Sequence, residues 1–163
     1  PIPQLETIHL IDDEMMFVCS EKDFKRINGD LTKISLLMDK PFILFDNPVL
    51  VNSSHMTKQI FNRLGFPHKY HIVEDVHVMG QIIANNDGFT IVPRSSTIPL
   101  HSYPIRFIHL GDKMPYTSIA LASSKYNPFP LPIKHISHVI KSHILKVYHP
   151  IDFNQRPLVK KTV

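Results

Sequence analysis

Cysteine is almost absent: Cys19 is the only one in 163 residues. A lone thiol excludes an internal disulfide framework and any metal site built on several thiolates, and it points to a reducing, cytoplasmic setting. Tryptophan is missing, and five glycines fall well below the usual share of about 7%. Turns must therefore lean on Asn, Asp and the fourteen prolines. No apolar run approaches the ~18 residues of a membrane span, and the first residues lack a basic stretch leading into an apolar one, so no membrane partner is expected. Concentrated positive charge is lacking too. Eighteen Lys and Arg against fourteen Asp and Glu leave +4, and apart from Lys160-Lys161 the cations are scattered among acids, as in Glu21-Lys22-Asp23-Phe24-Lys25-Arg26. That pattern argues against a phosphate-tracking groove, so contact with DNA is not expected from this chain alone.

What remains is an ordinary globular composition, 43% apolar and 20% charged, in a length suited to one domain or two small lobes. The chain opens on Pro1-Ile2-Pro3 without methionine, which reads as part of a longer protein.

The apolar pattern sets out the elements. Ile8 to Ile11 and Met15 to Cys19 read as strands around the turn Asp12-Asp13-Glu14, the second apolar throughout and so buried on both faces. Asp30 caps a helical turn over Leu31 to Leu37, and Pro41 leads into the strand Phe42 to Phe45. Met56, Ile60, Phe61 and Leu64 share a helical face over residues 52–64, ended by Gly65 and Pro67. Tyr70 to Val73 is a strand, Asp75 caps a helix bearing Val76, Met79, Gly80 and Ile83, and Asn86-Asp87-Gly88 turns into the strand Phe89 to Val92. Further strands at Ile105 to Leu110 and Ser118 to Ala122 flank Gly111-Asp112. Pro128, Pro130 and Pro132 then form a stiff lead into a helix with Ile133, Ile136, Ile140 and Ile144 on its packing face. Alternating strands and helices predict an α/β fold of βαβ units on a mostly parallel sheet, with Phe17, Ile43, Phe45, Ile72, Ile91 and Val92 in its core.

In such a sheet, ligands collect outside the carboxyl ends of the strands, where helix N-termini present unpaired N–H groups. That edge carries Asp46 and Asn47, then Val51-Asn52-Ser53-Ser54, then Glu74-Asp75-Val76-His77, and Pro93-Arg94-Ser95-Ser96. The candidate binding residues are Val51, Asn52, Ser53, Ser54, His77 and Arg94, and small hydroxyl and amide groups beside free N–H groups suit a carboxylate or another compact polar ligand. The plainer alternative is that Asn52, Ser53 and Ser54 only cap a helix. Of the eleven histidines, His68 and His71 are wrongly spaced for a shared ligand on a strand. His135 and His138 share a helix face, but no third ligand accompanies them; no metal and no cofactor is expected. Cys19 lies inside an apolar strand, and neither a Gly-x-Ser-x-Gly elbow nor a Gly-rich phosphate loop occurs, so no catalytic residue is assigned.

The order Lys40-Pro41-Phe42-Ile43-Leu44-Phe45, Phe61-Asn62-Arg63-Leu64-Gly65-Phe66-Pro67 and Gly80 to Pro93 resembles the effector-binding domain of LysR-type transcriptional regulators. Asp12 to Cys19 and Thr117 to Lys125 resemble that family's two hinge strands, so the resemblance runs over about residues 5 to 148. It implies a periplasmic-binding-protein-like, type II domain of two Rossmann-like lobes with a small molecule between them. Residues 1–20 would be the end of the first lobe and the first hinge strand, 21–113 the second lobe, 114–125 the returning hinge strand, 126–150 the terminal helix of the first lobe and 151–163 a tail. Most of the first lobe and the N-terminal winged helix-turn-helix have no counterpart here. DNA would be bound only through that other domain, and self-association as a homodimer or tetramer is implied. The family's second-lobe pocket maps onto Val51, Asn52, Ser53 and Ser54. The alternative reading is a solute-binding or enzyme lobe on a related α/β fold.

Overall fold

A computed structural model describes residues 4–45, 57–60, 62, 65, 69–111, 117–126 and 130–147. The chain divides into two compact units, one from Pro1–Asp13 with Tyr116–Asp152 and one built on Glu14–Pro115.

In the first unit, β1 (Leu5–Asp13) pairs antiparallel with β7 (Thr117–Ser124), with a register shift between His9 and Ile11. A helix, Pro130–Val147, packs on β1. Its first turn contains Pro130 and Pro132, which were expected to precede it. A proline there forfeits nothing, because first-turn N–H groups have no intrahelical acceptor. The packing stripe also differs from the expectation. Ser137 is buried and Ile136 is 51% exposed, so the inward face runs through Ile133, Ser137, Ile140 and Ile144 at spacings of four, three and four. The Ser137 hydroxyl donates to the Lys134 carbonyl at 2.8 Å, which lets a polar residue sit on that face.

The second unit is organised by β2 (Met15–Ser20), which runs antiparallel between β5 (Thr90–Pro93) and β6 (Ile105–His109). All six residues of β2 are buried. Period-two alternation sends Met15, Phe17 and Cys19 into one apolar cluster and Met16 and Val18 into the other, so both faces of the sheet are covered. β3 (Phe42–Phe45) and β4 (Tyr70–Val73) pair in parallel, and a parallel bridge between Phe42 and Phe89 brings β3 alongside the entry to β5. The Ile43 amide donates to Phe89 O at 2.8 Å, and the Thr90 hydroxyl donates to Ile43 O at 2.7 Å. The sheet is therefore mixed, because β2 runs against its neighbours, where a mostly parallel sheet was expected. Of the six predicted core residues, Phe17, Ile43, Ile91 and Val92 are buried and Phe45 is half-buried. Ile72 is 59% exposed: β4 has a strand neighbour on one side only among the described residues.

Two helical segments escaped the sequence reading. α1 (Glu21–Ile27) is short and mostly charged, capped by the Ser20 hydroxyl, which accepts from the Asp23 amide at 3.1 Å, and ended by Asn28 in the left-handed region. A 3-10 helix at Arg94–Ser102 holds Pro99 and has no side-chain cap bond. The expected turn at Leu31–Leu37 is a 3-10 helix whose Asp30 cap accepts from the Thr32 amide at 2.9 Å. Of the helix expected at 52–64, residues 57–60 are helical and the remainder lies largely outside the described residues. α2 (Val76–Ala84) follows β4 as expected, with Met79, Gly80 and Ile83 buried, and the last helix is thus α3 (Pro130–Val147).

Candidate functional site

The parallel strands β3 and β4 end on the same side of the second unit as β5, and a cavity of about 290 Å³ opens there. Phe45 closes β3 and Val92-Pro93 closes β5, so strand ends form one wall. Val76 and Met79 come from the first turn of α2, and Ser95, Ser96 and Pro99 from the 3-10 helix that follows β5. Thr57 completes the ring; it is buried, and its hydroxyl donates to Ile91 O at 3.5 Å. Sequence polarity leads to this edge, because strand C-termini and the following helix N-termini must lie together in a βαβ unit.

Among the assigned residues, Val51, Asn52, Ser53 and Ser54 lie outside the described residues. His77 and Arg94 are placed, and neither side chain lines the cavity. His77 is exposed in the first turn of α2, with Nδ1 3.2 Å from the Tyr103 hydroxyl. Arg94 follows β5 and turns toward the start of β2. Its amide donates to Glu14 O at 2.8 Å, and its guanidinium, 10% exposed, lies 3.7 Å from Glu14 Oε2. The same carboxylate oxygen lies 3.4 Å from His109 Nε2, and His109 Nδ1 accepts from the Gly111 amide at 3.1 Å.

The N-terminus of α2 is occupied by its own cap. Asp75 Oδ1 accepts from the Val78 amide at 3.0 Å and from the His77 amide at 2.6 Å. These two bonds, the Val78 one foremost, hold the Asp75 carboxyl below the usual carboxylate range. Ser95 and Ser96 lie on the edge traced from sequence but were not taken as binding residues. Phe45 and Met79 carry no polar signature of a site, and they and Thr57 emerge only from the packing.

Cys19 lies in the core of the same unit, and burial is the main cause that pushes its thiol up to about 12. Such a thiol is an inert core group rather than a nucleophile. Among the described residues, no cluster of three His, Cys, Asp or Glu side chains is placed to hold a metal ion, and no helix is long and apolar enough to cross a membrane.

Comparison with known proteins agrees with this layout. The reduced OxyR regulatory domain from Pseudomonas aeruginosa superposes with a TM-score of 0.62 at 18% identity, over 87% of this chain and 68% of that one. The BenM effector binding domain with its effector benzoate gives 0.67 at 18% identity, over 96% and 69%. The effector binding domain of QuiR in complex with shikimate gives 0.59 at 19% identity, over 87% and 68%. No curated protein matches the chain. At these identities the likenesses establish the type II α/β fold. The LysR substrate binding domain family matches residues 1–143, and the chain therefore belongs to that family.

Proposed function

We propose that this chain is the effector-sensing part of a LysR-type transcriptional regulator and binds its small molecule at the strand-edge cavity of the second unit. The observation that carries this reading is the cavity itself, about 290 Å³ at the carboxyl ends of β3 and β5, a position that collects ligands in open α/β sheets. Val51, Asn52, Ser53 and Ser54 are its assigned effector contacts, and Arg94 holds the segment after β5 in place through Glu14. The hinge strands of this reading are Asp12 to Cys19 and Thr117 to Lys125, and α3 belongs to the first lobe. The domain has a regulatory rather than a catalytic role and works in the cytoplasm as a homo-oligomer. DNA is held by another part of the regulator, whose affinity the effector changes.

The test is substitution at the loop in the complete regulator. Ser53→Leu or Ser54→Leu weakens the effector response and leaves DNA affinity almost unchanged. If these serines serve only as caps, stability falls by about 1 kcal/mol and the response is kept, which overturns their assignment.

A further inference from the structure

Glu14 touches two pieces of chain that are distant from it in sequence. It is the first residue of the second unit and lies just before β2. Its carbonyl accepts from the Arg94 amide at 2.8 Å, and its Oε2 lies 3.7 Å from the Arg94 guanidinium and 3.4 Å from His109 Nε2. Arg94 stands between the cavity residues Pro93 and Ser95. His109 ends β6, from which the chain runs on toward β7 in the first unit.

Each contact has its own chemistry. Arg94 supplies a permanent positive charge. The Gly111 amide donates to His109 Nδ1 at 3.1 Å, and an imidazole that accepts at Nδ1 carries its proton on Nε2. That is the nitrogen nearest the carboxylate, so a neutral His109 already attracts Glu14. The Glu14 side chain is 47% exposed, and an ion pair so open to water adds little to stability. What the carboxylate adds is a connection: one oxygen draws the segment after β5 and the end of β6 to the entry of β2.

Resting on the effector reading, in which Ser95 and Ser96 line the binding cavity and Asp12 to Cys19 is the first hinge strand, we infer that Glu14 is a positioning residue for the response. It passes a displacement of the cavity rim to the places where the chain enters and leaves the second unit. A ligand that shifts Pro93 to Ser96 carries Arg94 with them, and the carboxylate makes the entry of β2 and the end of β6 follow. Without the carboxylate the rim keeps its backbone bond to Glu14 and loses the side-chain tie.

Ser96→Phe, which fills the cavity from its partly open side, stands in for an occupant and removes the need for a known effector. The reporter is the Leu110 amide, which follows His109 and donates to Met15 O at 3.4 Å. Its resonance is recorded with and without Ser96→Phe, in the parent chain and in Glu14→Gln. Direct effects of the ring are common to both backgrounds, so the difference between them isolates the carboxylate. The displacement caused by Ser96→Phe falls at least roughly twofold in Glu14→Gln, whose melting temperature stays within about 2 °C of the parent. Ser96→Leu gives a smaller displacement with the same ratio. Glu6→Gln, which removes an exposed carboxylate from the first unit, leaves the displacement unchanged. Equal displacements in the two backgrounds overturn the inference, as does a Leu110 amide that neither substitution at Ser96 moves in the parent. A Glu14→Gln chain that melts well below the parent makes the residue structural and overturns it too. These results leave the effector site standing, because no effector enters the measurement. That site fails on a different result, a complete regulator carrying Ser96→Phe that keeps its full response.

Discussion

Lys40 and Asp23 form an ion pair inside the second unit, with Nζ 2.6 Å and 2.7 Å from the two carboxylate oxygens. The Asp23 side chain is 1% exposed and that of Lys40 is 14% exposed. The ammonium also donates to Asn86 Oδ1 at 2.7 Å, and the Ser20 hydroxyl donates to the same oxygen at 2.5 Å. The network ties the start of α1, the approach to β3 and the turn before β5 into one corner. Removing one ion from such a pair leaves the other buried without compensation, and Lys40→Met is expected to cost about 3 kcal/mol. Urea unfolding of parent and variant measures it, and a loss below about 1 kcal/mol would show the pair to be solvated.

Asn86 contributes its backbone as well as its amide, since its φ is 68°. Asn86→Gly forfeits only the side-chain bonds, whereas Asn86→Ala also places a Cβ in a left-handed conformation. The alanine variant should be less stable than the glycine variant by about 1 kcal/mol, and equal midpoints would rule out backbone strain at this position.

Gly80 is required by its neighbour. A Cβ there would meet the Tyr103 ring at 2.7 Å and Leu100 at 3.1 Å. Gly80→Ala is expected to destabilise the unit by about 1–3 kcal/mol, and Tyr103→Ala in the same chain should restore much of that loss. Additive losses in the double variant would place the clash elsewhere.

The Asp75 cap gives a pH signature. Its folded pKa lies below the unfolded value, so its stabilisation is complete above the unfolded carboxyl range near about pH 4. That stabilisation disappears as the pH falls through the lower folded value. Parent and Asp75→Ala melting curves should therefore differ by a constant amount between pH 7 and roughly pH 5 and converge in stronger acid. A difference that persists undiminished at low pH would mean that the carboxylate charge has no part in the cap.

Cys19 supplies an inexpensive check on the core. A thiol pushed up to about 12 by burial should resist disulfide reagents in the native protein and react at once in denaturant. Rapid native labelling would contradict the placement of β2 at the centre of the sheet.

How much of this was legible in the sequence varies with the physics of each element. The unbroken apolar run of β2 announced a strand covered on both faces, and the caps Asp30 and Asp75 announced their helices, because each signal is local. α1 was hidden because its charges are not solvated decoration: Asp23 is buried against a lysine seventeen residues away. Strand direction was not local either, and the mixed sheet follows from β2 running against β5 and β6. The exposed Ile72 and the buried Ser137 invert the apolar rule for the same reason, since burial depends on what covers a face. At the candidate site, strand polarity led to the edge where the cavity opens, but Met79 and Phe45 read as ordinary core residues and line it only because of the space left beside them.

The most direct measurement is calorimetric. A screen of carboxylates, amino acids and neutral ring compounds by thermal shift supplies a ligand, which is then titrated into the parent chain and into Ser96→Phe. The account predicts at least roughly tenfold weaker binding to the variant, with its melting temperature within about 2 °C of the parent. An unchanged Kd in a folded Ser96→Phe protein would contradict binding at the strand-edge cavity.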